Sequence, residues 1–163
     1  MACEIISTPG AIFVLWGIPT LDDVDQVVEA LHEAVHEAGE PVIYVTRVPV
    51  NQPAPSAEVR RQLDKLMPTL TQLFSTYHVV LEGAGFGAAV KRAVLLGLFQ
   101  LSWRRKTFFV HSLIEEIPVS LEKRRVPAFK QLVAAAKARG ALDADGPRLE
   151  RSADFASRPA HFG

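Results

Sequence analysis

Apolar residues along the chain fall into short dense runs broken by turn signals, and between several of the runs they recur at helical spacing. Cys3 to Ser7 is a β-prone run closed by Thr8-Pro9-Gly10, a turn signal. Ala11 to Ile18, dense in Ile12, Phe13, Val14, Leu15 and Trp16, predicts a second strand. Strands joined by so tight a turn are antiparallel. Pro19-Thr20-Leu21-Asp22-Asp23 then reads as a helix start. Thr20 is placed to cap a free N–H, and two aspartates occupy the first turn, where the helix dipole favours them. Leu21, Val24, Val28, Leu31 and Val35 form one predicted stripe, with Gly39 placed for a left-handed exit.

Pro41 to Pro49, carrying Val42, Ile43, Tyr44, Val45 and Val48, predicts a third strand. Pro53 and Pro55 stop its continuation by removing backbone donors. Ser56 is the expected cap of a second helix with Val59, Leu63, Leu66, Leu70 and Phe74 on one face. Pro68 should kink it, because its ring crowds the Asp64 carbonyl. His78 to Leu81 reads as a fourth strand, Ala88 to Trp103 as a third helix and Lys106 to His111 as a fifth strand. Ser112 and Glu115 have capping-box spacing, so a helix is expected there. Pro118 and Pro127 divide the C-terminal part of the chain, its last helical piece running from Pro127 to about Leu142.

The order is β-β-α-β-α-β-α-β-α, an α/β class. After the hairpin each strand needs a crossover helix, which predicts a mostly parallel sheet with flanking helices. Residues 1–145 form the expected single domain, and residues 146–163, polar and small, read as a flexible tail.

Composition narrows the functional classes. The chain has 163 residues, 48% hydrophobic and 22% charged, a globular balance. Eighteen basic residues offset eighteen acidic ones, so no global field favours nucleic acid, which is not an expected partner. The apolar stretches, Ala11 to Ile18 and Ala93 to Phe99 among them, are far shorter than a transmembrane segment. Met1 to Thr8 lacks the basic-then-apolar pattern of a signal peptide. The single Cys3 fits a reducing compartment, and a cytoplasmic location is expected.

The element order resembles that of the STAS family, the domains of sulphate transporters and bacterial anti-sigma-factor antagonists. Ala89-Val90-Lys91-Arg92 followed by Gly97-Leu98-Phe99 is similar to a stretch at the third helix of those antagonists. The resemblance implies a non-catalytic regulatory or signalling module that works by protein contact. Antagonists of that family carry a phosphorylatable serine between the third strand and second helix. Ser56 occupies that kind of place, but the flanking acid and glycine are missing from Asn51-Gln52-Pro53-Ala54-Pro55-Ser56. Ser56 is thus both a phosphorylation candidate and an ordinary helix cap.

Three further patterns could carry chemistry. His32-Glu33-Ala34-Val35-His36 is an H-E-x-x-H string, in which two histidines four apart bind zinc and the glutamate activates water. Position 42, where a longer form of the motif would put a third ligand, is Val42. Both histidines flank the apolar stripe, as on the half-solvated side of an amphipathic helix. A zinc-dependent hydrolase is therefore the minor alternative, and no metal or other cofactor is expected. Gly83-Ala84-Gly85-Phe86-Gly87-Ala88 fits G-x-G-x-x-A between a strand and a helix, and its N–H groups could hold an anion. Yet it follows the fourth strand, no acid ends the next one, and Glu82 stands at its mouth.

The third helix is apolar almost all round, with Leu95, Leu96, Phe99 and Trp103 outside its main face. Such a helix is covered within the monomer or meets a partner. The partner expected is another protein or a second copy, as a homodimer. The alternative is a small-molecule, lipid or nucleotide-binding domain of similar fold, with an apolar pocket near the third helix. Asn51, Ser56, Gly83, Gly85 and Gly87 are the ligand or anion candidates, since ligands of open α/β sheets favour the carboxyl edge.

Overall fold

Cys3–Thr8 (β1) and Ala11–Trp16 (β2) pair antiparallel across the turn at Gly10, whose positive φ of 81° suits glycine. In the computed structural model, residues 3–49, 52–83, 87–89, 91–92 and 107–142 are described. Val42–Val48 (β3), Phe74–Leu81 (β4) and Phe108–His111 (β5) continue the sheet in chain order, each parallel to its neighbour from β2 onward. The fold is the expected α/β sheet, mostly parallel, with an N-terminal hairpin and flanking helices.

A strand order that never reverses has a consequence for coverage. Right-handed crossovers between successive parallel strands all fall on the same face. Leu21–Ala38 (α1) and Ala57–Leu70 (α2) accordingly pack over Ile12, Val14, Val42 and Tyr44. Alternation along the strands turns Phe13, Ile43 and Val45 to the other face, which crossovers leave bare. The chain covers it after β5, with 3₁₀ turns at Ile114–Ser120 and Lys123–Arg125 and then the helix Val126–Ala138 (α3). Ile117, Phe129, Leu132 and Ala136 supply that second core.

Local signals explain the helix ends. Thr20 and Asp23 form a reciprocal capping box, and Gly39 closes α1 at φ 69° with its N–H on the Val35 carbonyl. Ser56 Oγ accepts from the Val59 N–H at 3.2 Å, so the serine is an N-cap in this structure.

Several expectations are corrected. β2 ends at Trp16, because Gly17 and Ile18 bend away and leave Ile18 62% exposed. The buried stripe of α1 is Val24, Val27, Leu31 and Ala34, with Val28 and Val35 at its partly buried margin. Phe74 is the first residue of β4 and not part of α2. α2 stops two residues after Pro68, and the turn through Leu73 throws Phe74 into the sheet, where a register shift against Val42 and Ile43 accommodates it. Ser112 caps no α-helix: its N–H and hydroxyl donate to Glu116, at 3.1 and 2.8 Å, and Ile114–Ser120 winds as 3₁₀ turns with Pro118 inside them. α3 ends at Ala138, short of the expected Leu142. Gly140 turns the chain at φ 73°, and Ala141 and Leu142 are buried beyond it.

Residues 87–89 and 91–92 are helical. The rest of the expected third helix and the expected tail lie outside the described residues. No helix among the described residues is long and apolar enough to cross a membrane.

Candidate functional site

Register builds an aromatic row. Tyr44 of β3 pairs with Tyr77 of β4, which pairs with Phe108 of β5, so three rings stand side by side on the α2 face. Tyr44 and Tyr77 stack at 4.6 Å between centroids and 10° between planes. Phe108 meets Tyr77 edge-on at 5.4 Å, and Phe74 lies 5.6 Å from Tyr77, all favoured aromatic geometries. Thr46 Oγ donates to the Tyr77 hydroxyl oxygen at 3.3 Å. Burial raises the pKa of both tyrosines, Tyr44 well above the ordinary value, so both are neutral phenols.

Between this row and α2 lies a cavity of about 360 Å³. Its floor is Tyr44, Phe74 and Tyr77, and α2 contributes Leu63, Met67 and Leu70. Trp16 and Gly17 close it where β2 ends, and Gln52, Pro53 and Pro55 do so beyond β3. The cavity therefore reaches the carboxyl ends of β2 and β3, the usual place for a ligand in such sheets. Arg60 and Asp64, both exposed on α2, stand at its margin as one cation and one anion. Gln52 Nε2 is buried with no hydrogen-bond partner among the described residues.

On the opposite face, His78 of β4 and His111 of β5 meet with Nδ1 of the first 3.0 Å from Nε2 of the second. His78 is fully buried and stacks on Phe109 at 5.0 Å. Burial, and then His111, push its pKa down to about 3. Burial also lowers His111, against the pull of Glu116, whose Oε2 lies 3.8 Å from His111 Nδ1. A carboxylate there favours a proton on His111 Nδ1, leaving His111 Nε2 to accept from His78 Nδ1–H. His78 Nε2, which has no partner among the described residues, is then a bare lone pair, and a buried acceptor is tolerated more readily than a buried N–H.

The sequence-predicted zinc ligands do not assemble a metal site among the described residues. His32, Glu33 and His36 are exposed on α1, and no cluster of three metal-ligating side chains occurs among the described residues. Gly83 and Gly87 are exposed. The carbonyl of Gly83, with that of Leu81, accepts from Arg92 at 3.1 Å, so this arginine spans the strand exit. Asn51, Gly85, Leu95, Leu96, Phe99 and Trp103 lie outside the described residues. Ser56 adjoins the cavity wall through Pro55. Of the basic run at Lys123, Arg124 and Arg125, the last two are engaged with Glu40, and Arg125 also donates to the Pro41 carbonyl. Cys3 lies 3.5 Å from Asp23 Oδ1, and burial with that carboxylate pushes its thiol up to about 11, far from a reactive thiolate.

Sequence reading misses the aromatic floor and the histidine pair. A signal for the floor exists in Tyr44 and Tyr77 on adjacent strands, but assigning Phe74 to a helix breaks the pattern. The histidine pair depends on the β4–β5 register, for which no local signal exists.

No family model matches the chain, and no curated protein and no solved structure matches it either.

Proposed function

We propose that the chain is a non-catalytic binding module of STAS-like element order, whose aromatic cavity takes a small, mainly apolar molecule. The observation that carries this reading is the cavity of about 360 Å³ between α2 and the Tyr44–Tyr77 stack. Its volume falls at the small end of the roughly 300–1,000 Å³ of ligand pockets, and its apolar lining with few polar groups is their usual make-up. The described lining offers shape and aromatic surface, and it contains no serine, cysteine or histidine to pair as nucleophile and base. The regulatory half of the proposal, in which another protein or a second copy reads the loaded state, is supported by the element order shared with anti-sigma antagonists.

The test is a fluorescence titration of the full chain with N-phenyl-1-naphthylamine, a neutral apolar dye. Saturable binding is expected, and Leu63→Trp, which fills the cavity from α2, should abolish it while the far-UV circular dichroism is kept. Absence of dye binding, or binding undiminished in Leu63→Trp, overturns the reading. Native mass spectrometry of the purified chain would show a retained small molecule and whether the chain is a dimer.

A further inference from the structure

We infer that β1 is a docking edge for a second copy of this chain, two β1 strands pairing antiparallel about Ile5 so that two sheets join into one. The inference deepens the second-copy half of the reading above and is independent of the cavity. β1 is an outer strand, bonded on one side only, to β2. On β2, the Gly10 carbonyl accepts from the Ile43 N–H of β3 at 2.9 Å, and alternate residues of a strand bond to opposite neighbours. Ala11, Phe13 and Leu15 therefore turn their N–H and C=O to β1, where they stand opposite Thr8, Ile6 and Glu4. Cys3, Ile5 and Ser7 turn theirs outward, and these groups have no backbone partner among the described residues. Sheet edges are normally blunted by brevity, proline, lysine or a bulge. β1 has none of these: its six residues, Cys-Glu-Ile-Ile-Ser-Thr, run in unbroken register with β2. β5, the opposite edge, is only four residues long.

A second copy fits this edge because the strand complements itself. Antiparallel edges bond when their outward residues stand opposite one another. Centred on Ile5, the pairing sets Ile5 opposite Ile5 and Cys3 opposite Ser7 of the partner subunit, and every outward N–H and C=O is satisfied. Centred on Glu4, it sets the strand's one charge directly opposite its own copy, which is unfavourable. Centred on Ile6, it sets Cys3 opposite Pro9, which has no N–H to give. Side chains favour the same register. Cys3 and Ile5 are partly buried at the margin of the core under α1 and α2, and Ile5 against its copy carries that apolar surface across the two-fold axis.

The experiment is sedimentation of the full chain at micromolar concentrations, where a dimer is expected. Ser7→Pro removes an outward N–H and no bond to β2, so it should weaken the dimer at least about tenfold while the far-UV circular dichroism is kept. Ile5→Cys in a Cys3→Ser background should give a covalent dimer on mild oxidation, because residues directly opposite lie about 5.5 Å apart, within disulfide range. Ser7→Cys in the same background should not, since its two copies stand about 13 Å apart along the strands. A monomer overturns the inference, and if that monomer still binds N-phenyl-1-naphthylamine the cavity reading stands. A dimer that does not cross-link through Ile5→Cys, or that cross-links through Ser7→Cys instead, overturns it by placing the interface elsewhere. The cross-linking pattern decides the matter even if Ser7→Pro does not fold.

Discussion

His78 Nδ1 and His111 Nε2 share one proton across 3.0 Å of buried space between β4 and β5. A second proton would place a cation where the rings are packed against Phe109 and cut off from water.

Stability should therefore fall with acid in a window that belongs to histidine. The folded value for His78 is pushed down to about 3 from an ordinary 6.5, so the unfolded chain takes up protons that the folded chain refuses. Stability is complete above pH 6.5 and is lost progressively as the pH falls towards the folded value. Between pH 6.5 and 5 this amounts to about 2 kcal/mol. Asp23 and Glu116, the carboxylates held below their usual range, lose their contribution only at lower pH. Urea denaturation at pH 7.5, 6 and 5 measures the slope. His78→Leu should flatten it, and an unchanged slope in that variant would assign the effect elsewhere.

The elements are legible in the sequence where local signals suffice. Thr20, Asp23 and Gly39 mark both ends of α1, and the capping box and left-handed exit follow from them. Dense runs of β-branched, aromatic and other apolar residues in Ala11–Trp16 and Val42–Val48 identify two inner strands of the sheet. Legibility fails where a tertiary contact decides. Phe74 fits the apolar spacing of α2, and only pairing with Val42 moves it into β4. Ser112 and Glu115 have capping-box spacing, but Ser112 bonds Glu116, which lies beside His111. The cavity is the least legible feature, since it arises from the space between α2 and the sheet rather than from any residue pattern.

Arg47 holds the end of the chain's second core. One guanidinium nitrogen donates to the Ala141 carbonyl at 2.8 Å and another to Glu82 at 2.6 Å. The contact joins β3 to the segment after α3, far apart in sequence, on the face that crossover helices leave bare. Arg47→Met keeps the aliphatic stem and removes both bonds. A loss of about 2 kcal/mol is expected, the range for hydrogen bonds to charged groups. Hydrogen exchange should show faster opening around Ala141 and Leu142 than in α1. Uniform acceleration would mean that the contact is not local to the C-terminal cover.

Ser56 offers a test of its two sequence readings. Its hydroxyl oxygen accepts from the Val59 N–H, so Ser56→Ala should cost about 1 kcal/mol, while Ser56→Asp, a good cap itself, should cost little. Thermal melts of the two variants measure this. If Ser56→Asp also leaves N-phenyl-1-naphthylamine binding unchanged, the serine acts as a cap alone. If it alters the dye affinity without altering the melt, a charge at this position is coupled to the cavity through Pro55.

Ile117 tests whether the 3₁₀ segment is part of the core or a loose covering. It is wholly buried among Phe13, Val80 and Phe129 in the second core cluster, although the segment carrying it lacks a side-chain cap and contains Pro118. Intrinsic propensity would not hold such a segment in place, so the apolar contact must. Ile117→Ala should therefore cost about 2–5 kcal/mol, as for other buried isoleucines reduced to alanine. The neighbouring Val119 is 91% exposed, and Val119→Ala should change stability by no more than about 0.5 kcal/mol. Urea midpoints of the pair decide it: equal midpoints would show that the segment peels away without disturbing the sheet, and a wide gap would show that the bare face of the sheet depends on it.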